Sequence, residues 1–425
     1  MKADIQFRYI VIGLMVFYAA LVAAFSPSEL IGDEGRYLFY AENLTNGFYV
    51  PPDFPDFTNG PAYPMILAPL VAIDAPIWMM RGLNVFFMGG AVFLLFQLLR
   101  IFVSARWATI IAVGFGLNPI QLRYIAHAKT EAVSVFFFCA FLYTLALLLR
   151  ADKWNWRILA YCAGSFFALT MTRVLFGYVA TAALVAVPVC CFIFGYRQQL
   201  LKATAPFALA LAFCIPWLAY THHHTGKHFC WSTNGGELLY WITSPHDGEW
   251  GSWFSLDDLA ALPEAAERHM KVSAAIESAP FAEQDALWKQ HAKENFQEDP
   301  KALARNLVAN FSRIFFAFPR SYRTEELKTL CWLIPNAVVL FLAALAIYPT
   351  VRAWKRIPLA IKIAGLTGLI FFGGSVLLPA APRYLLPVVP SMLLWLGYIY
   401  ANVIQIRINV TNAEESNLSR EQALA

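Results

Sequence analysis

Along the chain, apolar runs near 20 residues long alternate with short charged turns. Runs over 9–25, 77–99, 106–121, 131–149, 158–172, 175–195, 203–220, 330–350, 358–378 and 384–404 predict about ten transmembrane helices. Each suits a hydrocarbon core of ~30 Å once tilt is allowed. PAYPMILAPLVAI (61–73) is shorter and proline-rich, and reads as a membrane-surface or re-entrant helix rather than a span. From 221 to 329 the pattern changes. LDDLAALPEAAERHMKVSAAI and DALWKQHAKENFQEDPKALARNLVANFSRIFFAF carry apolar residues at helical spacing between polar ones, predicting a small helical layer outside the membrane. The second stretch ends in Phe311, Ile314, Phe315, Phe316 and Phe318, a set suited to rest on the membrane surface. The expected fold is an all-α polytopic membrane protein. Its parts are a module over 1–220 with a first outer loop at 26–76, a helical loop domain over 221–329, C-terminal helices over 330–406 and a polar tail over 407–425.

Composition agrees with this reading. Of 425 residues, 59% are hydrophobic and 14% charged, against about 25% charged in soluble domains. The net charge of +4 is spread over loops, and no basic run points to nucleic acid. The seven cysteines form no CxxC pair and no disulfide framework. Positive residues sort to one side of a ten-span topology: Lys2 and Arg8, Arg100 and Arg106, Arg150, Lys153 and Arg157, then Arg197 and Lys202. Arg352, Lys355, Arg356, Lys362 and Arg407 continue the series. That side is the cytoplasm by the positive-inside rule, with both termini on it. LVAAFS ends the first run in small residues, so this run can also be read as a signal peptide, which leaves the other loops' charges unchanged. No sequence feature speaks to oligomeric state.

The opposite side collects the candidate chemistry. Asp33-Glu34-Gly35-Arg36-Tyr37 follows directly on the first span. Charges in a solvated loop need no function. Two acids with an arginine three positions from the first can nevertheless take a proton from a hydroxyl and grip a phosphate. NPIQLRYIAHAKTEAVSVFF (118–137) puts Arg123, His127, Lys129 and Glu131 on the same side, an anion-site pattern. Glu131 also opens an apolar helix, where a carboxylate gains from the helix dipole in any case. Arg173 and Arg383 lie in two further short turns, the latter bracketed by prolines. Snorkelling explains an arginine at a bilayer edge, and so does a shared phosphate site. THHHTGKH (221–228) has no metal-ligand spacing on a helix, and STNGGELLYW (232–241) lacks P-loop spacing.

Several stretches together resemble the GT-C membrane glycosyltransferases, specifically the protein-mannosyltransferase and lipid A aminoarabinose-transferase relatives. They are GDEGRYLFYAENLTNGFYVPP, GPAYPMILAPL, RYIAHAKTEAVSVFFFCAFLYTL, ALTMTRVLFGYVA and APRYLLPVVPSMLLWLG, in that order, with STNGGELLY and the helix ending NFSRIFF similar to the members' outer region. The resemblance implies transfer of a sugar from a polyprenyl-phosphate donor to a hydroxyl on a glycan, lipid or protein acceptor, with inversion, at the outer face of the cytoplasmic membrane. It implies Asp33 as general base, with Glu34 the alternative acid, and Glu131 positioning substrate. Arg36, Arg173 and Arg383 would hold the donor phosphate, and Tyr37, His127 and Tyr384 would contact substrate. No cofactor is implied with certainty, although some relatives hold a divalent metal on acids, a place open to Asp33 and Glu34. The chain departs from the family pattern in lacking a lysine in TNGPAYP, in carrying Arg173 where lysine is usual, and in its small outer domain. A transporter or flippase, or a ligase for lipid-linked sugars, would also use basic groups and aromatics, but a transporter more often breaks its helices or places charge mid-span.

Overall fold

The computed structural model describes residues 2–322 and 330–404, and the expected tail over 407–425 lies outside the described residues. Among the described residues the secondary structure is helical, without strands. Seven helices are long and apolar enough to cross a membrane, and the pair Arg197–Phe213 and Ile215–Thr225, bent by 41°, makes an eighth. Pro216 opens the second half of that pair, where a missing N–H and a fixed φ favour the break. The two other expected spans are shorter. Trp156–Thr172 has 17 residues, and the 106–121 run folds as Ala105–Gly116 plus Pro119–Ile125, interrupted where Asn118 caps the second piece. The expected short helix at 61–73 is Ala62–Val71.

The bundle is held by aromatic packing. Phe141, Phe166 and Phe207 meet edge to face, and Phe176 stacks on Phe371 at 4.3 Å. The first helix, Lys2–Phe25, packs into the bundle. Phe7 stacks on Phe96 at 3.7 Å, and the Tyr18 hydroxyl donates to the Gly116 carbonyl at 2.8 Å. The two ends of the bundle differ in charge. At one end Arg150 donates to the Ile101 carbonyl, Lys202 to Ala151 and Lys362 to the Tyr196 hydroxyl. The other end carries Asp33, Glu131, Arg173 and Arg383.

Beyond that second end lies a layer of helices, Gly235–Ile242, Leu256–Ala260, Pro263–Glu277, Phe281–Glu298 and Pro300–Phe316. Tyr240, Trp241, Leu259 and Trp288 form its own core. Asn310 ties it to the bundle by donating to the Val376 and Leu378 carbonyls. The surface role expected for the 311–318 aromatics is only partly realised. Ile314 and Phe315 are buried, with Phe315 against Phe372, while Phe311 and Phe318 are about half exposed.

A buried polar knot organises this layer. Glu249 accepts from His269 Nε2 at 2.9 Å, from the Tyr322 hydroxyl at 2.6 Å and from Ser244, and Tyr240 meets His269 Nδ1 at 2.6 Å. Burial alone would push the Glu249 carboxyl up, but the hydrogen bond and charge of His269, with the Ser244 and Tyr322 hydroxyls, pull it down from 4.5 to about 2. A depressed folded-state value stabilises the layer at pH above about 4.5, and that stability is lost as pH falls from 4.5 towards 2. The loss is on the order of 3 kcal/mol. Limited proteolysis of 235–316 across that window should show progressive opening. Glu249→Gln should be protease-sensitive at neutral pH and insensitive to acid, and a parallel acid response in the variant would refute the assignment.

Candidate active site

Asp33 stands at the N-cap of the helix Glu34–Thr45, yet its carboxylate makes no capping bond. Both oxygens go to arginines instead. Oδ1 accepts from Arg36 at 3.2 Å and Oδ2 from Arg383 at 2.7 Å. Arg383 also lies 3.7 Å from Glu131 Oε1, which accepts from Arg173 at 3.0 Å. Arg173 is further fixed by donating from Nε to Ser134 at 3.1 Å. Three cations and two carboxylates thus alternate in one row, drawn from four separate elements. Tyr384 sits beneath it, 6.0 Å from the Arg173 guanidinium and 5.7 Å from that of Arg383.

Local sequence explains each placement. Gly32 adopts φ +61°, and a side chain there would crowd the Lys129 ammonium at 3.3 Å, so glycine lets Lys129 approach the Asp33 turn. Arg173 follows the last turn of Trp156–Thr172 with an extended backbone. Arg383 lies in a 3-10 turn opened by Pro382. The first loop is pressed onto this end of the bundle at Gly60, where a Cβ would stand 2.1 Å from the Met171 carbonyl oxygen.

The row holds one more cation than carboxylate, and Lys129 adds to the excess. Burial would raise the Asp33 carboxyl, but Arg383, Arg36 and Lys129 outweigh it and hold it below its ordinary value. Lys129 is lowered by burial and by Arg383. Glu131 is 4% exposed on its side chain, and among the described residues its Oε2 has no hydrogen-bond partner.

Three sequence expectations change. Glu34 is not an available acid. It is fully buried, and its two oxygens accept from Arg81 Nε and Nη2, each at 2.9 Å, and from the backbone N–H of Ile31 and Ala128. A metal on Asp33 and Glu34 does not fit either. The two carboxylates are committed to different arginines, and no cluster of three metal-ligating side chains occurs among the described residues. Tyr37 is 4% exposed, packs edge-on against Tyr63 and accepts from Asn59 at 3.3 Å, so its ring and hydroxyl are already engaged within the protein. His127 is half-buried, lowered by burial and by Lys129, with Nδ1 unpartnered among the described residues. Its carbonyl accepts from Asn84. Arg36, Arg173, Arg383, Glu131 and Tyr384 lie together at this end of the bundle.

Arg81 escaped the sequence reading. Its signal was present, because an arginine inside an apolar run such as IWMMRGLNVFF demands a partner. Lys129 belonged to a recognised cluster, but nothing local gave its direction.

No family model matches the chain, and no curated protein matches it in sequence. Solved structures do. An oligosaccharyltransferase of Archaeoglobus fulgidus tethered to an acceptor peptide aligns over 98% of this chain and 53% of its own, with 14% identity and a TM-score of 0.52. The oligosaccharyltransferase AglB of Archaeoglobus fulgidus with an inhibitory peptide and a dolichol-phosphate aligns over 98% and 54%, with 16% identity and a TM-score of 0.50. ArnT of Cupriavidus metallidurans bound to undecaprenyl phosphate aligns over 91% and 77%, with 12% identity and a TM-score of 0.44, too low to add to the argument. The chain spans about half the length of the oligosaccharyltransferases it matches. What is shared at this identity is architecture, and the chain is a polytopic membrane protein with the GT-C fold.

Proposed function

We propose that the chain is a membrane glycosyltransferase that moves a sugar from a polyprenyl-phosphate donor to a hydroxyl acceptor. The observation that carries this is the row Arg36–Asp33–Arg383–Glu131–Arg173 at one end of a membrane bundle. The phosphodiester of a lipid-linked sugar, and the more highly charged phosphate monoester that leaves, suit clustered guanidiniums at a bilayer edge. An attacking hydroxyl needs a carboxylate beside them. A lipid phosphate is also what one GT-C neighbour was solved with, a dolichol-phosphate.

The acceptor oxygen attacks the anomeric carbon while the bond from that carbon to the phosphate oxygen breaks. The hydroxyl proton passes to Asp33, and polyprenyl phosphate leaves as an anion held by Arg36, Arg173 and Arg383. One displacement inverts the anomeric centre. Glu131 keeps Arg173 and Arg383 aimed, and its free oxygen accepts from a sugar hydroxyl. Donor binding also releases the base. The phosphate competes for the guanidiniums that clamp Asp33, and as they swing to it the carboxyl rises towards its ordinary value.

The basic end of the bundle faces the cytoplasm and the Asp33 end faces the periplasm or cell exterior. Cysteines placed at the exposed positions Ser28 and Glu264 should react with an impermeant reagent added outside cells; failure at both would invert the topology.

The deciding assay supplies protein in liposomes with a polyprenyl-phosphate sugar labelled in the sugar, and an envelope extract as acceptor. Label should pass to acceptor, and Arg383→Ala should raise the donor KM by about 10–100-fold, as loss of a charged contact costing 2 kcal/mol or more does. Movement of the intact lipid-linked sugar across the bilayer without bond cleavage would instead establish a flippase.

A further inference from the structure

Arg36 faces two ways. One side holds Asp33, and the other forms a wall of a cleft of about 300 Å³ between the first loop and the helical layer. That volume is at the small end for ligand sites and suits a short saccharide. Aromatic rings line the cleft. Phe54 and Phe281 meet edge to face at 4.7 Å, and Trp253 is 43% exposed. The Trp253 indole donates to Glu237 Oε1 at 2.6 Å, and the other Glu237 oxygen has no hydrogen bond among the described residues. Glu277 also lines the cleft, is exposed and shows no side-chain partner among the described residues.

The other acids are engaged. Asp56 accepts from Tyr40 and Thr58, and Asp285 from Lys227, Lys289 and the Gly236 N–H. Four carboxylates line the cleft with Arg36 and Lys227; Lys227 and the neighbouring Lys289 are both taken up by Asp285, and Arg36 by Asp33. Burial raises both the Glu237 and the Glu277 carboxyls. A negative cleft repels phosphorylated or uronic acceptors. Open carboxylates accept only, so they ask for O–H or N–H groups, and exposed aromatic faces take the C–H face of a sugar ring.

We propose that this cleft binds the acceptor and that the acceptor is a non-anionic saccharide, neutral or amine-bearing, whose hydroxyl passes Arg36 to reach Asp33. This rests on the glycosyl-transfer reading. It is tested on the full chain in lipid nanodiscs by saturation-transfer NMR with the methyl glycosides of glucose, glucosamine and glucuronic acid and with a tripeptide. Binding of undecaprenyl phosphate is measured in parallel. Glucoside and glucosaminide should bind, and the glucuronide should bind at least about tenfold more weakly. Trp253→Ala and Glu237→Gln should each weaken the glucosaminide by about tenfold or more, Trp253→Phe should restore most of it, and undecaprenyl phosphate should bind all three variants normally. Preference for the glucuronide or the tripeptide, or no saccharide binding while undecaprenyl phosphate still binds, overturns the cleft assignment alone. Saccharide binding that persists without undecaprenyl phosphate binding supports the cleft and sinks the donor reading instead.

Discussion

Replacing Arg81 with Met is expected to be the most damaging single change to the fold. Arg81 and Glu34 are both fully buried, so the variant leaves a carboxylate with no cation in an apolar surround. Breaking a buried pair from one side costs about 3–5 kcal/mol, much of the 5–15 kcal/mol that holds a typical protein. The damage is also local to the site. Arg81 donates to the Pro27 and Glu29 carbonyls as well as to Glu34, and Glu34 in turn accepts from Ile31 and Ala128. One ion pair therefore pins the loop before Asp33, the helix after it and the turn before Glu131 onto the helix Ile77–Arg100. Arg81→Met should lower the melting temperature in detergent by many degrees and abolish polyprenyl-phosphate binding. Adding Glu34→Leu removes the orphaned charge and should recover a large part of the melting temperature, since replacing a buried pair by apolar groups is often neutral. A single variant that melts like the parent would show that the pair is not structural.

The same pair marks the limit of what was legible beforehand. Most of the spans follow from apolar length, although the 106–121 run breaks at Asn118, and Arg36, Arg173 and Arg383 could be placed on one side from the charge pattern of the loops. Asp33 and Glu34 were harder to separate because both are acids at one helix start. Neighbours on a helix project about 100° apart, so one faces the arginine row and the other the bundle. Nothing in the dipeptide says which, but Arg81 does. A cation within an apolar run must find an anion, and Glu34 is the one the fold supplies. The outer layer was legible as helices but not as a cleft wall. Glu237, Trp253 and Glu277 come from three separate parts of it and meet Arg36 only in three dimensions. The aromatics near 315 divide between surface and core for a related reason. A helix rich in aromatics beside a membrane packs equally well on lipid or on another helix, and Phe372 is what decides it.

Asp33→Asn should reduce sugar transfer by roughly 10²–10⁴-fold, the range of a lost general base, while leaving the fold intact. Asparagine keeps the shape and still accepts from Arg36 or Arg383, and the carboxylate is not itself a helix cap. Donor affinity separates this role from a merely structural one. In the resting protein Asp33 occupies two of the three guanidiniums that the phosphate would use. Removing its charge relieves the competition, so the variant should bind undecaprenyl phosphate at least as tightly as the parent, although it turns over far more slowly. Arg383→Ala should do the reverse, weakening donor binding. It also leaves Asp33 with one guanidinium fewer to hold its carboxyl down, so the residual activity should require higher pH than the parent's. A base lowered by two arginines is charged throughout the neutral range, and protonating it on the acid side should switch the enzyme off. An Asp33→Asn protein that keeps a tenth or more of the parental transfer rate, or one that loses donor binding together with turnover, would remove Asp33 from the role of base and leave Glu131, with its unpartnered oxygen in the same row, as the remaining carboxylate to test.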